Sequence, residues 1–240
     1  MTGIMQFAAS GPRPLWYATR ASGTIALLLL TATAVLGIAV GGRYAPQRIA
    51  RFEISALHRN LSVLTLAFLG LHIVTTIADP LVPVSWWAAA VPFVSSYRAP
   101  WLGLATVASD MLLAVAVTSA VRLRLGRRRW KAVHWLAYAA WPVALVHATP
   151  GTDARLPLQL GLYTGCLAAV VTVVCWRLYR AGPGRVAARL SAALTALAVP
   201  AALGGFLFSG PTHARGGAPA TPLTVRYGQS SARAPHGGSP

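Results

Sequence analysis

Apolar residues in this chain come in blocks about as long as a bilayer-spanning helix, roughly 20 residues, separated by short arginine-bearing stretches. Six such blocks predict six helices: residues 21–41, 54–77, 101–121, 132–148, 156–179 and 186–208. The expected fold is therefore all-α: a polytopic membrane protein built as one six-transmembrane-helix bundle over residues 21–208. A lead-in, residues 1–20, precedes it, with Trp16 and Tyr17 placed as an interfacial anchor. The first block is longer than the apolar core of a signal peptide, so it is expected to be retained as a helix. From Ser209 the chain turns rich in Gly, Pro and Ser, and residues 209–240 are expected to be a disordered extracytoplasmic tail.

The stretches between blocks differ in kind. Asp79–Pro100 is the longest, with four prolines, the Trp86–Trp87 pair, Tyr97 and Arg98. Such a segment suits the membrane interface, being apolar yet broken by proline. The first, third and fifth loops are basic and together hold 14 of the 21 Lys and Arg residues. Basic loops stay on the cytoplasmic side. Both termini are then expected outside the cytoplasmic membrane, and the second and fourth helices both run from inside to outside.

Composition agrees with the block pattern. Hydrophobic residues make up 55% of the chain, charged residues 10%, and mean hydropathy is +0.57. Soluble domains carry about 25% charged residues. The net charge of +17 would suggest nucleic acid in a soluble protein. Here the arginines sit at helix ends, where they set topology, and no nucleic-acid partner is expected. Cys166 and Cys175 lie in one helix, too far apart to bridge, and form no metal motif.

The candidate chemistry is in the histidines. Four of the six stand at the ends of two apolar segments, His58–His72 and His134–His147, with steps of 14 and 13 residues. At about 1.5 Å per residue each pair is separated by roughly 20 Å, most of the roughly 30 Å hydrocarbon layer. Because the two helices are expected to be parallel, His58 matches His134 near the cytoplasmic face and His72 matches His147 near the outer face. A membrane histidine is a functional candidate by default, and neutral imidazole is an axial ligand for haem iron. The helical period brings a 14-residue step back to within about 40° of its starting face, but not a 13-residue step. Pro142, between His134 and His147, is a place where that helix can kink or rewind.

These paired histidines, the six-helix layout and the basic turn before the second helix resemble the ferric reductase-like transmembrane domain, over about residues 15–208. That superfamily includes NADPH oxidases, eukaryotic ferric reductases and the haem subunit of bacterial periplasmic methionine sulfoxide reductase systems. The resemblance implies two b-type haems, with His58 and His134 as ligands of an inner one and His72 and His147 of an outer one. It also implies electron transfer across the membrane. The chain shows no Gly-rich dinucleotide loop, so the donor is expected to be a separate protein or a quinol. The acceptor is expected outside the cytoplasm. Two other readings use the same residues: a membrane anchor or assembly protein with structural histidines, and a metal-ion transporter.

Secondary candidates follow. Arg59 and Arg98 are placed to meet haem propionates, as arginine presents a fork to carboxylates, or to act as topology charges. Lys131 and Arg129 share that ambiguity near the inner pair. Asp110, in mid-helix, suits a proton relay, a quinone site, a ligand-imidazole partner or an interhelical hydrogen bond. Trp135 and Trp141 are candidates to border the cofactor or to pack. His213 and His236 lie in the tail and are not expected to be ligands.

Overall fold

The computed structural model describes residues 14–41, 51–80, 82–149 and 157–180. Among them every regular element is helical. α1 (Pro14–Gly41) opens on a proline, whose missing N–H costs nothing in a first turn that has no acceptor for it. It begins seven residues before the apolar block does, so Trp16, Tyr17 and Arg20 belong to this helix and not to a separate lead-in. Its hydroxyl residues continue the helix by bonding back one turn: Ser22 Oγ donates to the Ala18 carbonyl at 2.6 Å and Thr24 Oγ1 to that of Arg20 at 2.9 Å.

α2 (Arg51–Ala78) carries His58 and His72. A proline-broken connection follows, containing one 3-10 turn at Trp86–Ala89. α3 is Ala99–Ala120, α4 the short Arg122–Leu125, α5 Arg127–His134, α6 Leu136–Ala148 and α7 Pro157–Arg180. Gly126 joins α4 to α5 at φ 79°, a conformation that an L side chain resists. Four helical stretches are long and apolar enough to cross a membrane: Pro14–Ala39, Phe52–Ala78, Ala99–Ala120 and Pro157–Arg180. The expected fourth span is described as two pieces, α5 and α6, divided at Trp135. The expected sixth helix, residues 186–208, and the tail, with His213 and His236, lie outside the described residues.

The division at Trp135 answers the uneven histidine spacing. Pro142 sits inside α6 without interrupting it. The irregularity lies a turn earlier, where Tyr138 N–H reaches the Trp135 carbonyl at 3.1 Å, a tighter three-residue step. Tyr138 is the residue whose own carbonyl a proline four positions later displaces. His134 therefore closes α5, and the period of α6 does not dictate where its ring points.

α1 packs along α2, α3 packs on α6, and α1 also meets α6 and α7. The centre is filled by Leu27 and Leu30 of α1, Leu112 of α3, Ala140, Trp141 and Leu145 of α6, and Cys166 of α7. Among the described residues α2 makes no extensive contact with α5 or α6. The two histidine-bearing segments are thus each backed by a different helix, α1 behind α2 and α3 behind α6.

The connection before α3 closes over one end of this bundle. Ala88 is buried and its carbonyl accepts the Thr106 hydroxyl at 2.7 Å. Phe93, at φ 64°, lays its ring on Gly103 of α3, where any side chain would collide with it. Trp86 and Trp87 stack at 3.7 Å and are both exposed, as an interfacial segment requires.

Candidate functional site

The bundle brings the four helical histidines together as two pairs. His58 and His134 have ring centres 6.3 Å apart with planes at 61°. His72 and His147 have ring centres 6.4 Å apart with planes at 67°. Each pair joins the first histidine of one segment to the first of the other, or the second to the second, so α2 and α5–α6 run in the same direction.

These separations have a chemical meaning. A metal–imidazole bond of about 2.0–2.1 Å, with about 1.1 Å more from nitrogen to ring centre, puts two imidazoles on opposite sides of one metal ion about 6.2–6.4 Å apart. Both pairs have that spacing. Two rings hydrogen-bonded directly to each other would stand closer, whereas edge-to-face packing spans about 4.5–7 Å and includes the same value.

The second ring nitrogens complete the outer pair. His72 Nδ1 lies 2.8 Å from the Thr19 carbonyl of α1, and His147 Nδ1 lies 2.9 Å from the Trp101 carbonyl of α3. A carbonyl oxygen only accepts, so both contacts put a proton on Nδ1 and leave the Nε2 lone pair of the neutral ring free to ligate. Anchoring a ligand imidazole through its far nitrogen fixes both its tautomer and its orientation. At the inner pair, His58 Nδ1 and His134 Nδ1 are buried without a hydrogen-bond partner among the described residues. Trp130, four residues before His134 on α5, lies against that imidazole at 5.1 Å and is tied to Ser119 of α3 by a 3.2 Å hydrogen bond.

A cavity of about 310 Å³ opens beside the outer pair. It is lined by Thr65, Leu69 and Ala144, by His72 and His147, and by Arg20, Asp79, Tyr97 and Arg98. Its walls are apolar, and its charged groups gather at the mouth.

The remaining candidates fall in different places. Arg98 lines this mouth from the N-cap of α3, in a left-handed conformation of φ 44° and ψ 46°. Arg59, Arg129 and Lys131 are exposed near the inner pair in sequence, and none of them lines the cavity. Asp110 is exposed on α3 among the described residues and is not part of the cavity wall. Trp135 is 61% exposed, whereas Trp141 is buried and donates to Thr31 Oγ1 at 2.9 Å, in the level between the two histidine pairs.

Reading the sequence alone misses Arg20, the carbonyls of Thr19 and Trp101, and Trp130. Trp130 carried a signal, since a four-residue step places it over His134 on one helix face. Backbone carbonyl partners carry none, because any residue supplies them.

Among the described residues no three His, Cys, Asp or Glu side chains gather at one point. Comparison with protein-family models, with characterised proteins and with solved structures finds no match for this chain.

Proposed function

We propose that this chain is a membrane cytochrome b, a six-helix haem module that carries electrons across the cytoplasmic membrane. The observation that carries the reading is the repeated ring separation, 6.3 Å at His58–His134 and 6.4 Å at His72–His147. Two imidazoles alone are a poor set for a bare zinc or copper ion, which fills a tetrahedron from more donors. Two imidazoles would suffice to hold a haem, whose iron brings its other donors with it. The gap between α2 and α5–α6 and the apolar cavity beside the outer pair fit the same group.

A bound haem supplies a one-electron couple; the chain supplies its place and surroundings. His58 and His134 hold the inner group, and His72 and His147 the outer one. Thr19 and Trp101 keep the outer imidazoles in the ligating tautomer. Arg98 and Arg20 line the cavity beside His72 and His147 and would offer positive charge to the carboxylates of a bound haem, and Arg59 is offered in the same role on the inner side. The 14-residue step of α2 separates the layers by about 21 Å, so charge crosses the membrane in two stages.

In this reading the basic loops face the cytoplasm, both termini lie outside, and electrons pass from a separate donor protein or quinol, by way of the inner and then the outer site, to an extracytoplasmic acceptor. The decisive experiment is a reduced-minus-oxidised absorption spectrum of the full chain, purified after expression with ample haem. The expected result is a six-coordinate b-type signal at two haems per chain. A chain that folds and carries no haem under those conditions rejects the proposal.

A further inference from the structure

α1 and α2 pack antiparallel, and their contacts repeat. His72 meets α1 at two residues one turn apart. Its Nδ1 bonds the Thr19 carbonyl at 2.8 Å, and a side chain at Gly23 would begin 2.8 Å from that same Nδ1. Fourteen residues earlier on α2 stands His58, and fourteen residues later on α1 the same two residue types recur as Thr33 and Gly37. A side chain at Gly37 would begin 3.3 Å from His58 Cε1. His58 Nδ1 forms no hydrogen bond among the described residues, so the inner contact with α1 is the approach of its ring to Gly37. The two threonine hydroxyls repeat as well: Thr19 Oγ1 and Thr33 Oγ1 are both buried without a partner among the described residues.

We propose that α1 carries a duplicated imidazole seat, Thr19–Gly23 for His72 and Thr33–Gly37 for His58, which sets where each ligand ring stands. The inference rests on the haem reading for its purpose, but its geometry does not depend on that reading. In the outer seat the Thr19 main-chain carbonyl accepts from the His72 ring, and in both seats the glycine removes the Cβ that would crowd the ring. The repeat of 14 on α1 equals the histidine step on α2, because two helices of equal rise packed antiparallel keep register. The seats are unequal. The outer one holds a formed hydrogen bond and a contact too close for any Cβ, and the inner one is looser on both counts. These are positioning residues: they act on the haem only through the histidines.

The test uses the full chain in detergent, with Gly23→Ala, Gly37→Ala and the control Gly70→Ala, whose added Cβ meets nothing within 4 Å. Gly23→Ala is expected to lose half of the haem and to match His72→Ala in its spectrum. Gly37→Ala is expected to keep both haems while shifting the midpoint potential of one, and Gly70→Ala to equal the unaltered chain. A double-mutant cycle on thermal unfolding covers the case in which Gly23→Ala folds poorly. Once His72→Ala has emptied the seat, Gly23→Ala should cause no further drop in melting temperature.

Full haem content with an unchanged spectrum in Gly23→Ala overturns the proposal, and so does a cycle in which the two substitutions simply add. A chain that binds no haem at all would sink the function proposed above. The cycle would then still decide whether the seat exists.

Discussion

His72 and His147 each commit one ring nitrogen to a backbone carbonyl, and that commitment defines what the other nitrogen can do. If the pairs act as units, removing either member should give one phenotype. His72→Ala and His147→Ala are expected to lose the same haem and halve the haem-to-protein ratio. His58→Ala and His134→Ala should lose the other. A redox titration on each variant checks this, and four distinct phenotypes would sink the two-layer arrangement. Trp141 gives a second test at this scale. Its indole N–H is buried and bonded to Thr31 Oγ1, which in turn donates to the Leu27 carbonyl at 2.8 Å. Trp141→Phe keeps most of the ring volume and deletes the donor. A loss of about 1 kcal/mol is expected, in line with hydrogen bonds between membrane helices. Thermal unfolding in detergent measures it, with haem content unchanged.

Helices and their connections show where pattern reading succeeds. The apolar blocks gave α2 and α3 to within a few residues, because a spanning helix is recognised by length and hydropathy alone. α1 was cut short, since Trp16, Tyr17 and Arg20 look interfacial while their backbone continues the helix. The apolar pattern predicts one helix over 132–148 after a basic loop, whereas the structure has α5 from Arg127 to His134 and α6 from Leu136 to Ala148. Apolar composition is silent about a tightened turn at Trp135, although Pro142 warned that the helix would not be regular. The connection between α2 and α3 offers a test at this level. Gly103→Ala would drive a methyl group into the Phe93 ring and is expected to lift residues 82–98 away from α3. Faster limited proteolysis within that connection would show it. Phe93→Ala in the same chain should restore protection, and failure of that rescue would mean that Phe93 is not what holds the connection down.

For the whole molecule the open matter is direction across the membrane. The reading proposed above has the basic α4–α5 turn in the cytoplasm and Arg98 outside, as charge bias would set them. In a chain freed of Cys166 and Cys175, Arg98→Cys should react with a membrane-impermeant thiol reagent applied to intact cells. Arg59→Cys should react only after the membrane is opened. A reporter fused to the C-terminus should be active in the extracytoplasmic compartment. Reversed labelling would turn the bundle over and exchange the inner and outer sites. It would leave the histidine pairing untouched, because that pairing depends on packing and not on orientation.

The sequence by itself determined which histidines stand level with one another. Positions along a helix follow from residue number at a fixed rise, and loop charges order the helix ends, so the levels of His58, His72, His134 and His147 were legible before any packing was known. Tertiary structure alone decided closeness. The ring separations of 6.3 and 6.4 Å, the carbonyls of Thr19 and Trp101, and the fit of Gly23 against His72 all join residues of different helices. Rise is a local property of the backbone. Lateral approach depends on which side chains are absent between two helices, and glycine marks that absence without naming the residue it makes room for.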